Sequence, residues 1–220
     1  MTDGVLMAET VVDVALRVAR LQGAERVLLI TPGPHGAECV KRVLPLLAAH
    51  PLTVLDSSAS RLKHVATSGV SNSVQIVAGR ATRLPFIRHS FDAVLSFEAL
   101  FSIRPPWTVL AEFHRVLVPD GKLVLFEPAS HGFFSALRDK LTGPGKRIFA
   151  IDELKARLAR GDYAIDHMEE NLRVDGFQWP AYCVRVIKKE NPAEPVPQYK
   201  TAREMIESRK KKISPGEELP

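Results

Sequence analysis

The chain has 220 residues, 45% of them hydrophobic and 25% charged, with 30 Lys and Arg against 25 Asp and Glu for a net charge of +5. That length and balance suit one domain with a modest extension, and they exclude a chain disordered throughout. The two cysteines, Cys39 and Cys183, lie far apart with no CxxC partner. This argues against structural zinc, against a disulfide framework and for a reducing compartment.

The positive charges are scattered, so they read first as a solvated surface, with contact to nucleic acid or an acidic partner permitted but not demanded. No apolar run reaches the roughly 18 residues needed to span a bilayer, so no membrane span is expected. Residues 1–9 hold two acids and no basic residue, unlike a signal peptide or an Arg-rich transit peptide. The cytoplasm or the mitochondrion is the expected compartment.

Val5 to Leu21 places Val11, Val12, Ala15, Val18 and Ala19 at helical spacing, which predicts an amphipathic helix. Arg26–Thr31 (RVLLIT) is a short, continuously apolar run, the pattern of a parallel strand buried on both faces. A helix from Ala37 to Ala49 follows, with Pro45 disturbing its end. Leu52–Leu55 is the second strand, ending at Asp56, and Ser60 to Ser68 is a helix. Ser73–Val77 is the third strand and Ala93–Phe97 the fourth. Trp107 to Leu117 is a helix, Pro119-Asp120-Gly121 a turn, and Lys122–Glu127 the fifth strand. Ile151 to Ala159 reads as a helix, and Tyr163–Met168 and Ala181–Lys188 as two final strands at a sheet edge. Strands alternating with helices predict a doubly wound α/β domain with a mostly parallel, seven-stranded sheet.

Three stretches resemble the type 11 class of S-adenosylmethionine-dependent methyltransferases. Gly79-Arg80-Ala81-Thr82-Arg83-Leu84-Pro85-Phe86 resembles the family's G-D-A-x-x-L-P-F. Ser90-Phe91-Asp92-Ala93-Val94-Leu95-Ser96 resembles S-F-D-x-V-x-S. Leu110 to Leu123 resembles L-x-E-x-x-R-V-L-K-P-G-G-x-L. All three fall in the family's order and spacing. The resemblance implies a Rossmann-like methyltransferase fold over residues 1–189, S-adenosylmethionine as cofactor and no metal. It places cofactor contacts at Thr31, Gly33, Gly36, Asp56, Ser57, Arg80, Ala81 and Ser96.

A doubly wound sheet binds ligand at the carboxyl ends of its strands. Asp56 ends the second strand, 20 residues after Gly36, where an acid can accept from ribose hydroxyls. The same residue could equally cap the next helix. The first loop departs from the family's D-x-G-x-G-x-G. Leu29 stands for the acid, Thr31 for the first glycine and His35 for the third, with Gly33 matching and Gly36 one place late. Pro32 and Pro34 remove two backbone donors. Arg80 stands where the family often has an acid, and a guanidinium offers only donors.

No catalytic residue is fixed by the sequence. Glu98, Glu127 and His131 follow strands and are candidate bases, each with a structural alternative as a helix start, a sheet-edge cap or a surface residue. Arg104-Pro105-Pro106-Trp107 superficially resembles the N-P-P-Y/W of amine methylases, but reads better as a loop entering a helix. Both cysteines read as buried packing.

Residues 190–220 form a Pro- and Lys-rich extension that suits a protein partner or larger assembly, with RNA as a further option. Two readings of function stand open. One is a methyltransferase-like scaffold or assembly subunit without turnover, toward which the eroded loop leans. The other is an active methyltransferase on a small molecule, a protein or RNA.

Overall fold

A computed structural model describes residues 9–23, 25–30, 36–47, 52–69, 74–129, 148–175 and 180–189. The extension after residue 189 lies outside the described residues, as do Thr31, Gly33 and His131. Seven strands form one sheet: β1 (Val27–Ile30), β2 (Leu52–Asp56), β3 (Val74–Ala78), β4 (Phe91–Phe97), β5 (Leu117–Pro128), β6 (Tyr163–Leu172) and β7 (Ala181–Lys188). Their spatial order is β3-β2-β1-β4-β5-β7-β6. The first five run parallel, and β7 is antiparallel to both β5 and β6, so the sheet is mixed at its edge.

Helices cover both faces. α1 (Val11–Ala19), α2 (Gly36–Val43) and α3 (Ala59–Thr67) bury Val14, Val40 and Leu62 against Leu29, Val54 and Leu95. α4 (Ala99–Ser102), α5 (Pro106–Val116) and α6 (Ile151–Arg160) bury Leu100, Phe113 and Leu154 against Leu28, Val94 and Leu123. Every residue of β1 is buried, which is why its sequence runs apolar without alternation.

Local chemistry sets the helix ends. Thr10 and Asp13 open α1 as a capping box: the Thr10 hydroxyl accepts from the Asp13 N–H at 3.2 Å, and Asp13 accepts from the Thr10 N–H at 3.0 Å. Pro45 ends α2, and the chain tightens into a 3-10 turn over Leu44–Leu46. Pro106 opens α5 at its first turn, where a missing N–H costs nothing, so the segment Arg104 to Trp107 enters a helix as its sequence suggests.

Two features differ from the sequence expectation. The short helix α4 follows β4 directly, in a stretch to which the sequence assigned no element beyond the helix-start alternative for Glu98. The turn at Pro119–Gly121 sits inside β5 as a bulge, since Phe91 pairs with Leu117 and Ala93 with Lys122. Gly121 is required there: a Cβ would lie 2.8 Å from the Val118 carbonyl oxygen and 3.2 Å from that of Asp92.

The motif residues that carry the family resemblance tie these elements together. Arg115 on α5 donates to the Phe86 carbonyl at 2.6 Å and to the Leu84 carbonyl at 3.0 Å. It also pairs with Glu112, which accepts from the Leu84 N–H at 2.6 Å. The E-x-x-R of one motif thus clamps the L-P-F of another. Asp92 accepts from the Arg26 N–H at 2.8 Å and from its guanidinium at 2.9 and 3.0 Å, fixing the start of β1 against β4.

Arg115→Met should cost about 2 to 3 kcal/mol, because charge-assisted bonds to partly buried carbonyls are removed. Urea unfolding should show a lower midpoint at unchanged slope. The Arg115 guanidinium also holds the Glu112 carboxyl below the usual range. That stabilisation is present above the unfolded carboxylate pKa and is lost as pH falls below it. The variant should therefore show a flatter acid limb than the wild type.

Candidate functional site

β1 lies between β2 and β4, so the order of connection reverses at its carboxyl end, and a ligand crevice opens at that point. The loop that follows, residues 31–35, lies outside the described residues. Gly36 is buried and opens α2. Leu29, which stands for the family's acid, is fully buried in the layer beneath α1 to α3 and does not reach into the crevice.

Asp56 ends β2 with 1% exposure. One carboxylate oxygen accepts from the Ser58 N–H at 2.8 Å. The Arg61 guanidinium engages both oxygens, at 2.7 Å through Nε and 2.6 Å through Nη2. Asp56 is therefore both at the position of a ribose acceptor and at the root of α3. The Arg61 side chain is 42% exposed, so it covers the acid from the solvent side.

The chain after β3 is held against β2 by the bond from the Gly79 N–H to the Asp56 carbonyl at 3.1 Å. It then turns tightly, the Arg83 N–H donating to the Arg80 carbonyl at 3.0 Å. This turn buries Ala81 and leaves Arg80 exposed. Between the ends of β2, β3 and α4 lies an open cavity of about 510 Å³. Ser57, Arg61, Arg80, Ala81 and Arg104 are among its lining residues. Of the residues implied by the resemblance, Ser57, Arg80 and Ala81 thus share one cavity, with Asp56 directly behind Arg61. Ser96 is 1% exposed within β4 and does not line that cavity.

Glu98 and Glu127 have different surroundings. Glu98 follows β4 with φ of 54° and only partial burial, at the turn into α4. A non-glycine residue in this left-handed region is uncommon and clusters at functional turns. Its N–H donates to the Phe126 carbonyl at 2.8 Å, which fixes the turn to β5. Glu127 is 1% exposed and accepts from the N–H groups of Leu100 and Phe101 at 2.9 and 3.0 Å. It secures the start of α4 and cannot touch a substrate. Burial pushes its carboxyl up to about 8, against the pull of the two N–H donors.

A second cavity of about 330 Å³ lies between α5 and α6, lined by Trp107, His114, Arg157 and Tyr163 among others, with no residue from a strand's carboxyl end. Cys39 and Cys183 are buried, and burial pushes the Cys39 thiol up to about 12, so both pack as apolar side chains. Among the described residues no group of three His, Cys, Asp or Glu could hold a metal ion, and no helix is long and apolar enough to cross a membrane.

Residues 36–125 match the family described as a methyltransferase domain. That match covers 90 of the 220 residues, and the sheet order described above is the Rossmann-like methyltransferase fold. It is 36% identical over 107 residues to the demethylmenaquinone methyltransferase of Renibacterium salmoninarum, covering 49% of this chain and 42% of that protein. It is 30% identical over 150 residues to the demethylmenaquinone methyltransferase of Mycobacterium sp. (strain KMS), covering 63% of this chain and 61% of that one. The chain spans about half the length of the curated relatives it matches. Among solved structures it is similar to the methyltransferase in complex with the Haloferax volcanii Trm112 methyltransferase activator, with a TM-score of 0.69 and 13% identity, covering 80% of this chain and 88% of the other. At that identity the likeness shows the fold.

For this methyltransferase-type domain, the sequence left α4 unassigned and gave Glu127 as a candidate base or a sheet-edge cap, without the bonds by which it holds α4. The signal that could have found them was Glu127 itself: an acid ending a buried apolar strand must find donors, and a helix start supplies them. The folded-state pKa of Glu127 lies above its unfolded value, so the folded protein holds one more proton between about pH 4.5 and about pH 8. Stability should fall as pH rises through that window. Glu127→Gln, which cannot ionise, should flatten this slope in thermal or urea unfolding between pH 5 and pH 8; an unchanged slope would mean that another group causes it.

Proposed function

We propose that this chain is an active S-adenosylmethionine-dependent methyltransferase acting on a small molecule. The observation that carries the reading is the open cavity beside Asp56 at the carboxyl ends of β2 and β3. Neither Leu29 nor Arg80 fills this space, so the departures from the family pattern at those positions do not close it. The residues fit the cofactor on one condition. Arg61 must swing outward so that the Asp56 carboxylate can accept from ribose hydroxyls, and its 42% exposure gives it room to do so.

The cofactor supplies an electrophilic methyl group on a sulfonium. The chain's own contribution is to hold that group against an acceptor, where proximity and alignment supply most of the acceleration. The acceptor must give up a proton as its bond to the methyl group forms. We assign that role to Glu98, which follows the carboxyl end of β4 and is only partly buried. The relatives' names make quinone precursors the first acceptors to try.

A scaffold without turnover is the competing reading, and one observation favours it: Arg61 already satisfies both oxygens of Asp56. The extension at residues 190–220 lies outside the described residues and would be the segment that meets a partner.

Calorimetric titration with S-adenosylmethionine and S-adenosylhomocysteine separates the two. Micromolar binding is expected, with affinity weakened about tenfold or more by Asp56→Asn, since a ribose hydroxyl loses its charged acceptor. No binding at millimolar cofactor by folded protein would overturn the enzyme reading in favour of the scaffold. With an acceptor in hand, Glu98→Gln should lower kcat by about a hundredfold or more while leaving cofactor affinity unchanged.

A further inference from the structure

The cavity between α5 and α6, of about 330 Å³, has a divided wall. One part is apolar: Trp107 and Leu110 from α5, and Tyr163 at the start of β6. Both rings are held in place. The Tyr163 hydroxyl donates to the Leu110 carbonyl at 3.2 Å. Trp107 packs on Phe149 with ring centroids 5.0 Å apart. The other part is charged. Arg157 and Arg160, three residues apart on one face of α6, line the cavity, and Asp162 lines it just beyond the helix. The Arg157 guanidinium lies 4.7 Å from the centre of the Trp107 ring. Stacking of that kind uses the flat face of the group and leaves the N–H donors at its rim for other partners.

Neither arginine donates a side-chain hydrogen bond to a described residue or pairs with a described carboxylate, Asp162 included. Lys155 on the same helix does not line the cavity, and it pairs with Glu170 at 2.8 Å. The wall thus sets two guanidinium groups against one carboxylate, beside an apolar surface held rigid by its own contacts.

We propose that this cavity binds a small aromatic carboxylate. The two oxygens of a carboxylate match the N–H fork of a guanidinium, and one such group can join Arg157 to Arg160 and relieve their mutual repulsion. Asp162 at the same wall repels a doubly charged anion more than a singly charged one, which selects a carboxylate over a phosphate. The apolar part selects the body of the ligand. Leu110 and Tyr163 offer a surface on which a flat ring loses water, and the stacked Arg157 guanidinium offers a second flat face to it. A volume of about 330 Å³ stands at the small end of ligand pockets, so the ligand carries one or two rings.

This cavity shares no described lining residue with the one beside Asp56, so the inference does not rest on cofactor binding or on methyl transfer.

The test uses the full chain and three probes at matched ionic strength: indole-3-acetate, indole-3-acetamide and acetate. Calorimetry and thermal shift should show that indole-3-acetate binds and stabilises the protein. The amide keeps the ring and loses the charge, and acetate keeps the charge and loses the ring; each should bind at least about tenfold more weakly. Arg157→Gln and Arg160→Gln, both at exposed positions, should each weaken binding of indole-3-acetate about tenfold. Arg80→Gln, in the other cavity, should leave it unchanged, and S-adenosylhomocysteine should not compete. Competition would overturn the assignment to this cavity. The amide binding as tightly as the acid overturns the role of the arginines, and acetate binding as tightly overturns the aromatic body. No binding of indole-3-acetate at millimolar concentration, or undiminished binding by both variants, overturns the proposal as a whole.

Discussion

The central strands of this domain are buried on both faces, and that constraint decides where chemistry can happen. β1, β2 and most of β4 carry apolar side chains toward helices on either side. A ligand cannot reach the faces, and water cannot reach the strand carbonyls except at their ends. What remains is the line where β1, β2, β3 and β4 give way to loops. Asp56, Arg80 and Glu98 all sit on that line, although they come from distant parts of the chain. The bulge in β5 and the capping of α4 by Glu127 belong to the same constraint, since each lets a strand end satisfy its polar groups without opening the core.

The sequence made the fold legible because its motifs are structural fasteners. Glu112 and Arg115 hold Leu84 and Phe86, and Asp92 holds Arg26. These bonds join residues that the sequence shows as three separate patterns, and their spacing is set by the distances the fold must bridge. The continuous apolar runs marked the parallel strands for a simple reason: burial on two faces removes the alternation that marks a half-exposed strand. The turn at Pro119–Gly121 was legible, but its place inside β5 as a bulge was not, because Pro-Asp-Gly satisfies the backbone in either setting. Only the pairing of Lys122 with Ala93 across the sheet distinguishes them.

The site was less legible, since its character depends on which side chains meet. Asp56 was placed at the end of a strand by pattern, and it is there. Nothing in the run Asp56-Ser57-Ser58 signals that Arg61, one helical turn on, folds back onto the carboxylate. Likewise Arg104 looked like part of a loop motif, and its presence beside Arg61 and Arg80 follows from α4, a helix too short and too apolar to stand out. Helical spacing predicts neighbours on one element, but a cavity assembled from three elements is decided by topology.

The pairing of Arg61 with Asp56 also bears on how far the eroded first loop matters. Both are competitors for affinity, and both have bounded costs. Freeing Asp56 gives up two charge-assisted bonds, but the guanidinium regains water as it swings out, so the net cost is about 1 to 3 kcal/mol. A cofactor that then offers two hydroxyls to a buried carboxylate recovers most of this. Pro32 and Pro34 in the first loop offer no backbone N–H, at a comparable cost for each hydrogen bond that cannot form. Each such cost corresponds to roughly a ten- to hundredfold change in affinity. Penalties of that size weaken binding by degrees, whereas a filled crevice would abolish it. The space beside Asp56 is open, so the departures at Leu29 and Arg80 leave room for a ligand there.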